Sequence, residues 1–294
     1  MSDILVGTSS WTDKGFIEHW YPKGLSAAER LRYYAERFPA VELNASFYAV
    51  PAHEQAENWA KLTPERFVFD VKLHRYLSHH AAPPDSLPRD LRERAEVNER
   101  GNLVRDEGLE RALARRALEE LAPLEEAGKL GALLLQLTPG FSPKRHELAE
   151  LDPLLEALSP HHVAIELRHR GWVEGERLEK TLSFLRDRGV GFVSVDAPPG
   201  EHFPIMPPID SVTTERLAYL RCHGRNTEGY MRGRTVAERF DYDYSDEEVE
   251  EIADRARVLA DDAEEVHVMF NNNARDYAPK AARRMLQALG QDGG

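Results

Sequence analysis

Charged and imidazole side chains recur where short apolar segments of the sequence end, and these are the residues best suited to chemistry. Glu166 and His223 lie in the last residues of two such segments, and Glu42 and Asp196 end two others. Carboxylates and a histidine can move protons near neutral pH, so we expect these four residues to be the catalytic groups. On a β-strand, residues two apart point to the same face, which pairs Glu42 with Asn44, Asp70 with Lys72, Glu166 with Arg168, Ser194 with Asp196 and Arg221 with His223.

Cationic and amide side chains accompany these candidate catalytic groups. The guanidinium group of arginine offers a planar pair of donors that fits phosphate or carboxylate. We therefore expect a small anionic ligand, such as a phosphorylated compound, held by side chains from several strand ends. The expected ligand-binding residues are Asn44, Lys72, Gln136, Arg168, Arg221, Arg225 and Asn271, with the rings of Trp11 and Tyr48 as a stacking wall. His79 and His80 follow the third strand and point apart, and His79, which stands in a segment that resembles a known family, is expected to reach the same pocket.

The acidic residues also permit a metal interpretation. Glu42, Glu166, Asp196 and His223 offer the carboxylate and imidazole ligands that divalent cations accept. Against this, the neighbouring lysine and arginines would neutralise the carboxylates, and the sequence has no short motif such as H-E-x-x-H. A divalent metal therefore stays an alternative, and no other cofactor is expected.

Eight short apolar runs place these residues in a regular architecture. Most of the runs are followed by helical spacing, and capping boxes at Ser26 with Glu29 and at Ser245 with Glu248 mark two helix starts. The runs cover residues 4–8, 40–44, 67–73, 130–137, 162–167, 190–196, 217–223 and 266–271.

Strands that alternate with helices favour parallel pairing, and eight of them close a barrel filled by its own side chains. A doubly wound sheet is the rival architecture, but the sequence has neither G-x-G-x-x-G nor a Walker A motif. We therefore predict an α/β fold, a parallel eight-stranded TIM-type (β/α)8 barrel, as a single domain over residues 1–294.

Two connections are longer than the others. Residues 78–116, after the third strand, are rich in Pro, Arg and Glu, and we expect a long insertion there that leads into an amphipathic helix. Residues 224–244 mix Gly and Arg with several aromatic residues. Because ligands bind at the carboxyl ends of the strands in such barrels, both connections are expected to border the site.

Composition narrows the classes of protein that remain. The 294 residues carry a net charge of −13, which argues against broad binding to nucleic acid or to an anionic membrane. Cys222 is the only cysteine, so an internal disulfide and a multi-thiolate metal site are excluded. No apolar run is long enough to span a membrane and no signal peptide is visible, so we expect a cytoplasmic location.

Several motifs resemble the domain-of-unknown-function 72 (YecE-like) family. They include Val6-Gly7-Thr8-Ser9-Ser10-Trp11, Val41-Glu42-Leu43-Asn44-Ala45-Ser46-Phe47-Tyr48, Glu166-Leu167-Arg168-His169, Arg221-Cys222-His223-Gly224-Arg225 and Phe270-Asn271-Asn272. Matches run in order over nearly the whole chain. Two small departures, Leu137-Thr138-Pro139 after Gln136 and Gly171 before Trp172, remove no charged group. The resemblance implies a TIM-like barrel and implies no activity.

Three functional hypotheses follow from these residues. The leading one is an enzyme that acts by acid–base chemistry on a small anionic ligand, with hydrolase, lyase and isomerase classes all left open. The second is a metal-dependent phosphodiesterase or nuclease-like protein that acts on nucleic acid, a partner that the net acidity disfavours. The third is a ligand-binding protein without turnover. All three depend on the strand ends meeting in one cavity.

Overall fold

Eight parallel strands close into one barrel, as predicted. The computed structural model describes residues 2–233 and 235–291. Each strand pairs with its neighbours in chain order, and the first strand pairs with the last, so the sheet closes without an edge. The strands are Asp3–Thr8 (β1), Ala40–Leu43 (β2), Val68–Lys72 (β3), Leu130–Gln136 (β4), Val163–Glu166 (β5), Gly191–Asp196 (β6), Leu217–Cys222 (β7) and Glu265–Phe270 (β8).

Helices surround the barrel and cover its outer face. They are Lys14–His19 (α1), Ala27–Ala35 (α2), His53–Leu62 (α3), Arg89–Arg92 (α4), Glu107–Glu126 (α5), Asp152–Leu158 (α6), Arg177–Asp187 (α7), Thr227–Arg232 (α8), Val236–Arg239 (α9), Asp246–Ala260 (α10) and Tyr277–Ala288 (α11). Both predicted capping boxes are present at the starts of α2 and α10. Short 3-10 turns cover Ala45–Phe47, Pro84–Ser86, Leu148–Leu151 and Arg170–Trp172.

The register decides which side chains point into the barrel. Arg221 of β7 is level with Val195 of β6 and Met269 of β8, and the side chains before and after them face the helices. Gln136 of β4 is level with Glu166 of β5, and β5 neighbours β6 in the barrel. The side chains of Arg221, Gln136 and Glu166 therefore all point into the interior.

The connection after β3 is ordered and packs on the protein. It contains α4, a short antiparallel bridge between Val97 and Leu103, and α5, which begins at Glu107. Leu87 and Leu91 are buried within it. The amphipathic helix expected in this connection is thus α5. Within the described ranges, no helix is both long enough and apolar enough to cross a membrane.

Candidate functional site

Arg221 lies between two carboxylates near the carboxyl ends of the strands. Its Nε and Nη2 donate to the two oxygens of Glu42 at 2.9 and 2.6 Å, and its Nη1 donates to Glu166. All three side chains are fully buried. Burial raises the pKa of the Glu166 carboxyl, but the charge of Arg221 and the hydrogen bond from His223 outweigh it and hold that pKa well below its usual range. We call Glu42, Arg221, Glu166 and His223 the charged centre.

His223 is oriented by hydrogen bonds at both ring nitrogens. Its Nε2 lies 3.0 Å from Glu166 Oε1, and the amide nitrogen of Asn271 lies 3.0 Å from its Nδ1. Because the Asn271 amide donates to Nδ1, the ring carries its hydrogen on Nε2 and donates it to Glu166. Gln136 also donates to Glu166 Oε1, at 2.9 Å. Burial lowers the pKa of His223, although Glu166 opposes the shift.

Lys72 is a cation of this region that lacks an anionic partner among the described residues. Its ammonium forms no ion pair or hydrogen bond with any residue in 2–233 or 235–291, and it lies 4.4 Å above the centre of the Phe47 ring. Burial and the positive charge of Arg221 lower the pKa of Lys72 to about 7, against the opposing carboxylates. Near neutral pH this amine is therefore partly unprotonated, which is unusual for a lysine.

Arg168 links the charged centre to the connection that covers it. One of its guanidinium nitrogens lies 3.5 Å from Glu166 Oε1, and another donates to the Tyr230 hydroxyl at 2.6 Å. Tyr230 belongs to α8, and Phe240 of the same connection lies with its ring 5.6 Å from that of His223. The long connection after β7 thus lies over the mouth of the barrel, which agrees with its expected place beside the site.

Unpaired polar atoms surround the mouth. Each is buried and has no hydrogen-bond partner in the part of the chain that the structure describes. They are Ser9 Oγ after β1, Asn44 Oδ1 after β2, His80 Nδ1 after β3, Arg168 Nε after β5, and Asn272 Oδ1 and Asn273 Oδ1 after β8. Buried polar atoms are normally satisfied, so such a set at one end of a barrel indicates space for a polar ligand or for water.

Asp196 and Arg225 do not join the charged centre, and the prediction that Asp196 faces the pocket is wrong. Asp196 is level with Cys222, whose side chain points opposite to those of Arg221 and His223. Its carboxylate accepts hydrogen bonds from Arg225 at 2.9 Å and from the Tyr244 hydroxyl at 2.7 Å. The pair therefore forms a separate ionic cluster on the helix side of the sheet.

The two aromatic residues expected to stack on a ligand lie elsewhere. Trp11 is buried between the barrel and the helices, where its ring contacts Trp59 at 5.6 Å and Phe69 at 6.3 Å. Tyr48 is 58% exposed and lies 6.0 Å from the Arg75 guanidinium at the rim. The expected stacking wall is therefore not assembled from these residues.

Two residues near the carboxyl ends of the strands, His80 and Asp13, were not among the predicted site residues. The ring of His80 lies 5.0 Å from that of Phe47, which Lys72 also contacts, whereas the ring of His79 packs against Phe141, so His80, and not His79 as expected, lies beside Lys72. Asp13 precedes α1 with Oδ2 unpaired among the described residues, and burial raises the pKa of this carboxyl to about 6. Loop geometry determines both placements, and the sequence contains no periodic signal for it.

A groove also lies at the opposite, amino end of the strands. It has a volume of about 1330 Å³ and is lined by residues that include Trp20, Tyr33, Phe38 and Arg66. In the described chain, none of its lining residues has a buried polar side-chain atom without a partner. The polar chemistry therefore indicates the carboxyl end.

Comparisons with known proteins agree on one family. The family "Protein of unknown function DUF72" matches residues 5–294. UPF0759 protein YunF of Bacillus subtilis (strain 168) is 31% identical over 291 residues, which are 97% of this chain and 94% of that protein. UPF0759 protein YecE of Escherichia coli (strain K12) is 28% identical over 198 residues, which are 67% of this chain and 60% of that protein.

Solved structures of the same family share this fold. A DUF72 family protein from Thermotoga maritima MSB8 superposes with a TM-score of 0.79 at 28% identity, over 98% of this chain and 99% of that one. One from Enterococcus faecalis V583 gives 0.79 at 28% identity, over 98% and 95% of the two chains.

Proposed function

This chain belongs to the DUF72 family, and we propose that it is an enzyme that binds a small anionic ligand at the carboxyl mouth of the barrel and moves a proton on it. The observation that carries the proposal is the unpaired ammonium group of Lys72 beside a buried charged centre. The proposal joins the leading sequence hypothesis to a specific group that is able to exchange the proton.

The balance of charge supports an anionic ligand. Two carboxylates, Glu42 and Glu166, lie opposite two guanidinium groups, those of Arg221 and Arg168. Lys72 adds a third cation, and among the described residues no carboxylate forms an ion pair with its ammonium. Lys72 is only partly exposed, and a partly desolvated charge without a partner is costly, so an anionic group bound beside it relieves that cost.

The protonation of Lys72 suits it to acid–base catalysis. A general acid or base is most effective when its pKa lies near the working pH. Burial lowers the pKa of Lys72 to about 7, so both forms are present at neutral pH. Proton transfer at Lys72 Nζ is a step that hydrolases, lyases and isomerases can all use.

The contacts revise the roles expected for Glu166 and His223. Glu166 is held ionised and accepts hydrogen bonds from Gln136 and Arg221, while both ring nitrogens of His223 are engaged. Glu166 and His223 are therefore positioning residues that determine the electrostatic environment of Lys72. Glu42 has the same role, because both of its oxygens are bound to Arg221.

The metal interpretation built on Glu42, Glu166, Asp196 and His223 loses its geometric basis. Asp196 faces the helices, and the oxygens of Glu42 and Glu166 are occupied by Arg221. A cation at that place would have to displace a bidentate guanidinium group. The phosphodiesterase or nuclease-like hypothesis therefore receives no support from this set of residues.

Binding of inorganic phosphate to the purified protein tests the ligand site. We expect calorimetric titration at pH 6.5 to detect binding, and Lys72→Met to weaken it at least 10-fold. Lys180→Met removes an exposed lysine of α7 and is the matched control, so its affinity stays at the wild-type value. Equal binding by wild type and Lys72→Met contradicts the proposed site.

Proton exchange tests catalysis separately. The protein is incubated in D2O with a panel of sugar phosphates and hydroxy acids, and deuterium incorporation at carbon is followed by NMR. The proposal predicts exchange into at least one compound, and loss of that exchange in Lys72→Met. Binding without exchange in any compound contradicts the enzymatic part and favours the non-catalytic binding protein.

A further inference from the structure

Two histidines and a glutamate converge beside the mouth, outside the charged centre. One ligand atom from each of His79, His146 and Glu150 lies within 4.8 Å of the other two. His79 belongs to the connection after β3, and the other two belong to the connection after β4. The cluster therefore bridges two neighbouring loops of the barrel.

The Glu150 carboxylate is already aimed at His146. Its Oε1 accepts a hydrogen bond from the backbone N–H of Glu147 at 2.7 Å, at the start of the Leu148–Leu151 turn. Its Oε2 lies 2.9 Å from His146 Nδ1. A second hydrogen bond of this kind is what orients the carboxylate ligands of metal ions in proteins.

His79 has a strained backbone conformation. Its backbone φ is 60°, in the left-handed region that favours glycine, and its ring makes no hydrogen bond with any residue in the described ranges. The ring instead contacts Phe141 edge-on at 4.8 Å and approaches the His146 ring at 5.8 Å. Strained residues persist where the surrounding structure or a function requires them, and here the strain presents a free imidazole to its two neighbours.

An aromatic stack fixes the position of the second imidazole. Phe141 stacks on His146 with ring centres 4.6 Å apart and on Trp172 at 5.5 Å. The indole nitrogen of Trp172 donates to the Phe141 carbonyl at 2.8 Å. The stack is a rigid apolar wall behind the cluster, and it limits the freedom of the His146 ring.

The positive charge of Arg105 near the cluster does not prevent a metal ion from binding there. The charge of Arg105 acts on both Glu150 and His79, but its guanidinium is paired with Glu110 and donates to the Tyr76 carbonyl at 2.8 Å. Its positive charge is therefore matched inside the protein. The oxygen of Glu150 that faces the histidines contacts His146 Nδ1 at 2.9 Å, and a bound cation would take the place of that contact.

We propose that His79, His146 and Glu150 bind one divalent transition-metal ion of the Zn²⁺ class. Two imidazoles and one carboxylate form a three-residue ligand set that leaves a fourth position for water. Ligand atoms about 2.1 Å from a tetrahedral metal lie about 3.4 Å apart. Separations in the cluster, which are at most 4.8 Å, therefore close by no more than about 1.4 Å when the ion binds, through rotation of the side chains.

The ion joins the loop after β3 to the loop after β4. It holds His79 in its left-handed conformation, and through the chain it holds His80, whose ring contacts Phe47. The site is separate from the charged centre and shares no side chain with it. If no metal ion binds at these three residues, the proposed anion site at Lys72 is not affected.

Zinc titration of the untagged full-length protein, stripped with a chelator, tests this site. We expect one Zn²⁺ per chain by calorimetry, and a rise in thermal unfolding temperature on loading. His79→Asn and Glu150→Gln should each weaken binding about 100-fold or more, beyond the usual effect of losing an outer hydrogen-bond partner. Asparagine tolerates the left-handed backbone at position 79, and Glu150→Gln changes a surface residue, so at least one variant keeps the fold.

His161→Asn is the matched control. His161 lies 3.1 Å from Glu125 in another His–Glu pair, and it precedes β5 at the opposite end of the barrel. Its substitution should leave zinc affinity unchanged. The proposal is overturned if wild type binds no stoichiometric zinc, or if His79→Asn and Glu150→Gln bind as tightly as wild type, because the metal then binds elsewhere on the acidic surface.

Discussion

Arg221 is the residue on which the charged centre depends. It satisfies both oxygens of Glu42 and one of Glu166 in an interior that solvent does not reach. A lysine cannot replace it, because a single ammonium group lacks the planar fork that spans two carboxylates. Without the guanidinium, two buried carboxylates lose their main counter-charge, which is the costliest way to break a buried ion pair.

Substitution of Arg221 measures that dependence. We expect Arg221→Ala to lower the free energy of unfolding by about 3–5 kcal/mol in urea denaturation at pH 7. Arg257→Ala is the control, since Arg257 pairs with Glu250 and Asp254 at the surface. Exposed pairs of that kind contribute less than about 1 kcal/mol. Equal losses in the two variants would show that Arg221 is not the counter-charge of a buried centre.

His267 forms a second buried ion pair deeper in the barrel. Its Nδ1 lies 3.0 Å from both oxygens of Asp70, and its Nε2 lies 3.3 Å from Glu265. Burial lowers the pKa of His267, but the carboxylates, Asp70 first, outweigh it and raise that pKa to about 9. The ring is therefore charged in the folded protein at pH 7.

The raised pKa of His267 makes its contribution to stability depend on pH. A group whose pKa is higher in the folded chain stabilises it fully below its unfolded pKa of about 6.5, and loses that effect as pH rises toward 9. We expect His267→Gln to cost up to about 3 kcal/mol of unfolding free energy at pH 6, and less at pH 9. The measured quantity is the difference from wild type at each pH, because Lys72 titrates in both proteins. A difference that is constant from pH 6 to 9 would contradict the shift.

Close contact between β3 and β4 gives Asp70 its place in the barrel. Asp70 Oδ1 accepts a hydrogen bond from the backbone N–H of Ala132 at 2.7 Å. A Cβ on Gly131 would lie 2.5 Å from Cγ1 of Val68 and still closer to Oδ1 of Asp70. Only glycine at this position leaves room for the carboxylate that pairs with His267.

Gly131→Ala tests this packing. We expect it to destabilise the protein by about 1–3 kcal/mol, as overpacking of a core does. Gly140→Ala is a matched control, because a Cβ there would lie no closer than 3.7 Å to a neighbouring heavy atom. Urea denaturation of both variants measures the free energy of unfolding. An unchanged value in Gly131→Ala would contradict the close packing of β3 against β4.

At the level of strands, the sequence was sufficient for the architecture and for most of the charged centre. The apolar runs end in Glu42, Glu166 and Arg221, and a barrel forces the ends of its strands together, so these residues meet. The face of β6 was predicted wrongly because all residues from Gly191 to Asp196 are buried, and a strand buried on both faces has no polar alternation. A shift of one residue then turns Asp196 from the pocket to the helices.

Connections were harder to predict than strands. The positions of His80 beside Phe47 and of Asp13 before α1 depend on loop conformations that no periodic pattern encodes, and His79 adopts a left-handed backbone that its residue type does not predict. The pairing of Tyr230 with Arg168 joins residues that are far apart in the chain. Such contacts follow from the tertiary fold and could not be derived from local propensity.

Across the whole molecule, polar side chains line the barrel from one end to the other. Glu265 and Asp70 pair with His267, the ring of Tyr219 lies 5.9 Å from that of His267, and the Tyr219 hydroxyl donates to Glu42 at 3.0 Å. From Glu42 the contacts continue through Arg221 to Glu166 at the mouth. The chain carries a net charge of −13, yet at the mouth the ammonium of Lys72 forms no ion pair with a carboxylate of the described residues. That contrast is the basis for an anion site there.

The claim that Lys72 is a partly unprotonated amine in an anion site can be tested by NMR titration of its side chain, in the full-length protein with isotope-labelled lysine. Lys72→Arg assigns the signal, and the titration is repeated with inorganic phosphate. The account predicts a midpoint at about pH 7 that rises when phosphate binds, because a bound anion favours the ammonium form. A midpoint near the ordinary lysine value of about 10.4, unmoved by phosphate, would contradict it.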